Sequence, residues 1–154
     1  MLPWLQQKRS LPIKKVGAAA FITNELGHVL LVHHTYGALN WELPGGIGEL
    51  AESPAETAMR EVHEETGLTV SAAGMTGCYY MPENETLHFV FRCDASGTAE
   101  IPVPDGDEIS ECAYWPLNSL PRPISDWTVK RIHDAVSGCC IDMPVTIGPR
   151  IWLE

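Results

Sequence analysis

Basic side chains are scarce in this sequence, which holds 10 lysines and arginines against 20 aspartates and glutamates, for a formal net charge of −10. Proteins that bind nucleic acids or membrane surfaces in general present a basic face, so this balance argues against both kinds of partner. It leaves room for a small anionic ligand, provided that something positive sits in the site. A bound metal ion would supply that charge.

Long apolar runs and cysteine motifs are missing as well. Residues 1–10 hold no apolar run of signal-peptide length, and no segment approaches the roughly 20 apolar residues of a membrane span. The five cysteines are odd in number and form no CxxC motif. This fits a reduced protein better than a disulfide framework. We therefore expect a cytoplasmic protein that binds neither nucleic acid nor membrane.

The length and composition suit one domain. At 45% hydrophobic residues, the 154-residue chain can bury a core without disulfides or a structural metal. No repeat or linker divides it. We expect a single domain over residues 1–154, in which the leader 1–14 and the tail 139–154 are peripheral. A homodimer is left open.

One helix has clear sequence signals at both ends. Ser53 is suited to be its N-cap, Pro54 its first helical residue, and Glu56 follows three positions after the cap. Gly67 stands where a left-handed residue ends a helix. The spacing predicts a helix over 54–66, with Ala55, Ala58, Met59 and Val62 as its buried stripe.

Strand patterns surround this helix. Alternating or continuous apolar residues predict a hairpin of strands 15–23 and 28–34 with a turn at 24–27, a short strand at 41–43, a broken strand or two short strands in 68–80, and strands at 86–94 and 111–115. A second amphipathic helix is predicted over 125–136, and the tail 139–154 reads as irregular. The pattern favours a mixed sheet flanked by helices, α/β or α+β in class.

Three glutamates of the first helix share one side. Glu61, Glu64 and Glu65 are related by three- and four-residue spacings and span an arc of roughly 100° beside the apolar stripe. Their charges repel, which Arg60 can offset in part. Carboxylate oxygens are hard ligands suited to Mg²⁺ or Mn²⁺. A solvated acidic face is the other interpretation, but the glycines just before the helix can bring backbone carbonyls close.

The residues around these glutamates resemble a known motif. Gly46 is followed by five residues, Glu52, seven residues and the run REVHEETGL at 60–68. This matches every fixed position of the Nudix box. The segment WELPG at 41–45 also looks like the lead-in that is usual in that family.

The resemblance implies a fold, a reaction and a set of site residues. The fold would be the Nudix α/β/α sandwich, and the reaction hydrolysis of the diphosphate bond in a nucleoside diphosphate derivative or a nucleoside triphosphate. The cofactor would be Mg²⁺, with Mn²⁺ able to substitute. The implied ligands are Glu61 and Glu65, with Glu64 as a third and the carbonyl of Gly45 beside them, and the implied supports of these ligands are Glu52 and Arg60.

The general base and the substrate contacts are less determined by sequence. Glu108 is our candidate base because it ends a Pro/Gly/Asp-rich segment that should be mobile and could close over the site, and Glu111 is the second candidate. A solvated loop acid is an equal interpretation of Glu108. Trp41 and Tyr80 are candidates for stacking on a base, although a core position suits aromatic side chains equally well.

Two other functions remain open on the same scaffold. One is an enzyme like an isoprenoid diphosphate isomerase, which would want a catalytic cysteine, and Cys78, Cys93 and Cys112 have no convincing setting for that role. The other is a non-catalytic nucleotide-sensing module. Such modules tend to lose box glutamates or to be fused to a second domain, whereas this chain keeps all of the glutamates.

Overall fold

Two five-stranded sheets and two helices make up the fold. The computed structural model describes residues 11–95, 100–138 and 144–154. Its strands are β1 Lys15–Phe21, β2 Val29–His34, β3 Trp41–Glu42, β4 Gly45–Ile47, β5 Val70–Met81, β6 Thr86–Ala95, β7 Ile109–Trp115, β8 Ile124–Ser125, β9 Val145–Thr146 and β10 Trp152–Leu153. Its helices are α1 Pro54–Thr66 and α2 Asp126–Ser137. Neither helix is long and apolar enough to cross a membrane.

Both sheets mix parallel and antiparallel neighbours. The first has the order β4-β1-β6-β5-β9 and the second the order β10-β8-β3-β2-β7. In the first sheet β1 runs parallel to β6 and antiparallel to β4. In the second, β3 runs parallel to β8 and antiparallel to β2. The expected mixed α and β class is confirmed, while the single-domain boundaries stay a prediction.

Helix α1 begins and ends where the sequence predicts. The Ser53 hydroxyl accepts from the Glu56 backbone N–H at 3.2 Å, and the Glu56 carboxylate accepts from the Ser53 N–H at 2.7 Å. This reciprocal pair is a capping box. Gly67 ends the helix at φ 72°, a left-handed conformation that glycine adopts without a side-chain clash.

The buried face of α1 differs in part from the predicted stripe. Ala58 and Val62 are fully buried against β1, as expected, whereas Ala55 and Met59 are only half-buried. Thr57 and Glu65 are buried instead. The stripe is therefore rotated toward the side that carries the glutamates.

The predicted hairpin of β1 and β2 is wrong. The turn itself forms, with the Asn24 side chain accepting from the N–H groups of Leu26 and His28 at 3.0 Å and Gly27 at φ 74°. The two strands then separate into different sheets, joined only by a short bridge next to the turn. The turn therefore connects the sheets, because β1 pairs with β6 and β2 with β7.

The later elements decide one open alternative and bring one further correction. Residues 70–81 form one strand, β5, with irregularities in its pairing to β6 near Gly74 and Thr76, which agrees with the predicted broken strand and not with two short strands. The end of the tail is not irregular, because β9 pairs with β5 and β10 pairs with β8. Residues 1–10 of the predicted leader and 139–143 of the tail lie outside the described residues.

The second helix packs through a stripe that contains a charged residue. Ser125 caps α2 by accepting from the Thr128 N–H at 3.0 Å, one residue from the predicted start. Trp127, Arg131 and Ile132 are buried on its inner face. Trp127 and Ile132 join a core cluster with Tyr79 of β5. This places Arg131 inside the protein, beside the site described next.

Candidate active site

Two of the three clustered glutamates of α1, Glu61 and Glu65, point into the protein. Glu65 is only 5% exposed, and Glu61 lies against Gly46 of β4. A Cβ atom at Gly46 would sit 2.6 Å from the Glu61 Cδ atom, well inside van der Waals contact. Glycine at this position therefore lets β4 approach the Glu61 carboxylate directly. Glu64, by contrast, has 55% of its side chain exposed.

The inward glutamates form a pair whose charge is unfavourable in the metal-free protein. Burial, and next the charge of Glu61, raise the pKa of Glu65 to about 9, although the backbone N–H of Gly45 opposes the shift by hydrogen bonding to the carboxylate. Burial also raises the pKa of Glu61, against the charge of Arg60. The pair therefore holds a proton at neutral pH. A cation that replaces this proton would stabilise the two carboxylates electrostatically.

Arg60 fixes the surrounding carboxylates in one network. Its Nε and Nη2 donate to the two oxygens of Glu52 at 2.7 and 3.0 Å. Its Nη1 donates to Glu61 and to Glu64, both at 3.0 Å. The guanidinium is the largest cause of the low pKa of Glu52, about 2, and the Thr57 hydroxyl adds a 2.6 Å hydrogen bond. Glu52 thus holds Arg60 in place, and Arg60 in turn orients Glu61 and Glu64.

The residues present fit a divalent cation. The buried Oε2 atom of Glu65 has no hydrogen-bond partner among the described residues, so this carboxylate oxygen is available to a cation. Carboxylate oxygens are the ligands that Mg²⁺ and Mn²⁺ prefer, with water and substrate oxygens completing the shell. Within residues 11–95, 100–138 and 144–154, no three acidic, histidine or cysteine side chains form a closed ligand cage. Glu64 is held by Arg60, so its entry as a third ligand requires that its side chain turn.

A cleft of about 410 Å³ opens beside this carboxylate pair. One part of its wall is the backbone of β4 at Gly45, Gly46 and Ile47. Another part comes from β2, β3, β6, α2 and the C-terminal segment, through His34, Glu42, His88, Trp127, Arg131, Arg150 and Trp152. The cleft is large enough for part of a small molecule and joins the acidic site to a region that carries arginines.

The arginine region is built on a buried ion pair. Arg131 is 1% exposed and pairs with Glu42, which also accepts from the Thr128 hydroxyl at 2.8 Å. The Arg131 guanidinium lies 4.0 Å from the centre of the Trp127 ring. Burial and the Arg131 charge hold the pKa of His88 well below its usual range, so that His88 is uncharged at neutral pH.

Sequence reasoning missed these groups of the cleft. A signal was available for Arg131, which follows Trp127 by four residues and so falls on the buried stripe of a predicted amphipathic helix. A buried arginine needs an acidic partner, and its partner Glu42 lies in the lead-in to the box. No comparable local signal pointed to Arg150.

Glu108 stands at the predicted place but in a different setting. It directly precedes β7, and its carbonyl oxygen accepts from the Thr35 N–H at 2.9 Å. The preceding segment, expected to be mobile, is held by hydrogen bonds. Val103 donates to the Thr66 carbonyl at 2.9 Å, and the Asp105 side chain accepts from Asp107 and Ile109 at 3.0 Å.

Tyr36 connects Glu108 to the acidic site electrostatically. Burial raises the pKa of the Tyr36 hydroxyl, and the charges of Glu108, Glu65 and Glu61 follow as further causes. Tyr36 lines the cleft. The second candidate base, Glu111, lies within β7 and is paired in register with His33. The choice of Glu108 over Glu111 as the base stays a prediction.

The two predicted stacking residues are not in the cleft. Trp41 is 6% exposed in the core, edge-on to Trp115 with ring centres 5.3 Å apart. The Tyr80 hydroxyl donates to Glu85 at 2.8 Å and accepts from Lys14 at 3.2 Å. Both side chains are used for packing or surface hydrogen bonds. The aromatic residues that line the cleft are Tyr36, Trp127 and Trp152.

Comparison with known proteins gives a consistent result. The family model for the NUDIX domain matches residues 13–135. A MutT-like protein of Streptomyces ambofaciens is 38% identical over 133 residues, covering 86% of this chain and 84% of the relative. A protein of Bacillus subtilis (strain 168), provisionally named as an 8-oxo-dGTP diphosphatase, is 31% identical over 132 residues, covering 85% of each.

Solved structures show the same fold. The crystal structure of an ADP-ribose pyrophosphatase from Streptococcus suis superposes with a TM-score of 0.68 at 22% identity, covering 87% of this chain and 98% of that one. At this identity the likeness concerns the fold alone.

Proposed function

The chain belongs to the Nudix family, and from that premise we propose that it hydrolyses the diphosphate bond of a nucleoside diphosphate derivative or a nucleoside triphosphate with the help of a divalent metal ion. The observation that carries the proposal is the buried pair of Glu61 and Glu65, which faces the glycines of β4 beside a cleft of about 410 Å³. Glu61 is half-buried and Glu65 buried, and the unpaired Oε2 atom of Glu65 offers an oxygen to a cation that a polyanionic substrate could meet.

Glu61 and Glu65 would hold the metal, with Glu64 and the carbonyl of Gly45 as further ligands. Mg²⁺ is the expected ion, and Mn²⁺ can substitute because it accepts the same hard oxygen ligands. When bound, the ion supplies positive charge that neutralises the diphosphate oxygens and makes water a better nucleophile at phosphorus.

The other residues of the site orient the metal-binding carboxylates or accept a proton. Arg60 fixes the carboxylates of Glu61 and Glu64 through Nη1, and Glu52 holds Arg60 in place. Glu108 takes the proton of the attacking water in this proposal, with Glu111 as the alternative. Glu108 is exposed and its charge acts on Tyr36 of the cleft wall, which suits a carboxylate that accepts a proton from water.

The alternative functions have less support. An isomerase-like enzyme would need a reactive thiol, but burial raises the pKa of both Cys93 and Cys112 to about 11. A non-catalytic sensing module would not need the Arg60 network that orients ligand carboxylates. The unpaired thiols of Cys78, Cys93 and Cys112 suit a reducing cytoplasm, which we propose as the compartment.

A substrate panel tests the proposal. Purified protein is incubated with nucleoside triphosphates, dinucleotides and nucleoside diphosphate sugars in Mg²⁺, and released nucleoside monophosphate and phosphate are measured. We expect turnover of at least one substrate, none in excess chelator, and recovery with Mg²⁺ or Mn²⁺. Reaction in heavy-oxygen water should place the label in a phosphate product, as attack at phosphorus requires. Full activity in excess chelator would exclude the metal role.

Two variants connect the activity to the box. Glu61→Gln and Glu65→Gln should each lower kcat by several orders of magnitude, while the metal-free proteins melt at or above the wild-type temperature because charge repulsion is relieved. Glu25→Gln, a change of an exposed turn residue, is the matched control. Near-wild-type turnover in either box variant would contradict the ligand assignment.

A further inference from the structure

Arg150 is a cation of the cleft that has no acidic partner among the described residues. Its guanidinium lies 4.4 Å from the centre of the Trp127 ring, and its charge acts on His34, His88 and Arg131, three other residues of the cleft wall. We propose that Arg150 binds an oxygen-acceptor group of the substrate and so helps to determine which substrates the cleft accepts. This inference rests on the proposed function, since it concerns the same cleft.

The charges around Arg150 leave its own charge uncompensated. Arg131 is neutralised by Glu42, and His88 is uncharged at neutral pH. In residues 11–95, 100–138 and 144–154 no acidic side chain forms an ion pair with Arg150. A protein of net charge −10 thus keeps a free positive group in this cleft. Such a group favours a ligand that brings negative charge or strong acceptors.

Two residues that share the cleft wall with Arg150 carry unpaired donors. The Nε atom of Arg131 and the Nε1 atom of Trp127 are buried and have no hydrogen-bond partner in the described part of the chain. Both side chains line the cleft with Arg150. Buried donors without acceptors are rare in folded proteins because each has lost its hydrogen bonds to water. An acceptor group that binds Arg150 would add negative charge to a cleft wall that already carries these donors.

The backbone holds Arg150 at this place. The neighbouring residue Ile151 donates to the Asp126 side chain and accepts from the Asp126 N–H, both at 2.8 Å. Trp152 then pairs with Ser125 as β10 joins β8. The segment is thus fastened to the start of α2, so the Arg150 side chain reaches the cleft from a fixed point. This preorganisation lowers the entropy lost when a ligand is bound.

Two substrate groups share the required chemistry. A guanidinium presents paired donors that match two phosphate oxygens, or the O6 and N7 acceptors on one edge of a guanine base. Adenine offers a donor next to N7 and does not match. A phosphate and a 6-oxopurine edge can therefore be told apart by suitable probes.

The test measures binding of compounds that contain no diphosphate bond, so that it is independent of turnover. Inorganic phosphate, GMP and AMP are titrated calorimetrically in Mg²⁺ into wild type, Arg150→Gln and Arg150→Lys. Arg92→Gln, a change of an exposed arginine on β6, is the charge-matched control. Melting temperatures of all four proteins show whether each is folded.

We expect Arg150→Gln to weaken binding of at least one probe by about 10- to 100-fold, the usual worth of a hydrogen bond to a charged group, with Arg92→Gln unchanged. Arg150→Lys should recover part of the loss. A loss for GMP alone identifies the 6-oxopurine edge as the ligand group, and an equal loss for all three probes identifies phosphate. Unchanged binding in a folded Arg150→Gln, or no binding of any probe by wild type, overturns the inference. Neither result depends on whether a hydrolysed substrate has been found.

Discussion

Glu61 lies against Glu65, and after burial its charge is the largest cause of the raised pKa of Glu65, about 9. A carboxylate pair of this kind is poorly stable when both members are ionised and the metal is absent. It therefore links three quantities that can be measured separately, namely protonation, metal binding and stability.

The stability of the metal-free protein should fall with rising pH through Glu65. The unfolded glutamate loses its proton near 4.5 and the folded one at about 9, so between these values the folded state holds one more proton. The free energy of unfolding therefore decreases as pH rises across that window. Melting temperatures in chelator from about pH 7 to about pH 9 avoid the range in which unfolded histidines titrate. Glu65→Gln should flatten the slope, and an equal slope in wild type and variant would refute the assignment.

Gly46→Ala should damage activity more than stability. The added Cβ atom would sit 2.6 Å from the Glu61 Cδ atom, and a flexible carboxylate moves more easily than the β4 backbone. We expect a large loss of kcat and weaker metal binding, with a small change in melting temperature. Gly74→Ala is the control, because a Cβ atom there meets nothing within 4 Å. Equal kinetics for the two alanine variants would show that the close approach of Gly46 is unimportant.

Lysine should not replace Arg60. One guanidinium group contacts Glu52, Glu61 and Glu64 at once, and an ammonium group cannot span the same three carboxylates. We expect Arg60→Lys to lower metal affinity or activity by about 10- to 100-fold, as is usual when a group that orients metal ligands is lost. Metal titration of kcat/KM measures both effects. A fully active lysine variant would mean that Arg60 contributes only its charge.

Glu108→Gln tests the general base. The loss should be about 10²–10⁴ in kcat, the usual worth of general-base catalysis, with a small effect on KM. The acidic limb of the pH–rate profile should flatten as well. Glu111→Gln, on β7, is the matched comparison and should do much less. Similar losses in the two variants, or a larger one in Glu111→Gln, would move the base to another residue.

Local signals predicted the bounds of α1 well, whereas the ligand role of its glutamates stays a prediction. The N-cap Ser53, its capping-box partner Glu56 and the terminal Gly67 each act within a few residues. The sequence alone therefore determined where α1 begins and ends. The inward position of Glu61 and Glu65 also follows from helical spacing beside an apolar stripe. The two glycines before the helix indicated a close approach of the backbone, and the structure has Gly46 against Glu61.

Long-range pairing could not be predicted in the same way. A turn after β1 favours a hairpin locally, but the partners of β1 and β2 lie far along the chain, in β6 and β7. Arg131 and Glu42 are 89 residues apart, so nothing near either residue reveals the pair. Trp41 was misplaced for a related reason, because only the assembled core shows that its ring is covered by Trp115.

The attachment of residues 144–154 makes the cleft a composite of two parts. Arg150 and Trp152 lie beyond residues 13–135, the region matched by the family, whereas every box residue lies inside it. Among the described residues, no hydrogen bond joins the Arg60 network to this C-terminal segment. In this chain the segment is attached through the Asp126 hydrogen bonds and the β8 pairing. Substitutions at its cleft-lining residues can therefore change one wall of the cleft while the hydrogen bonds of Arg60 stay intact.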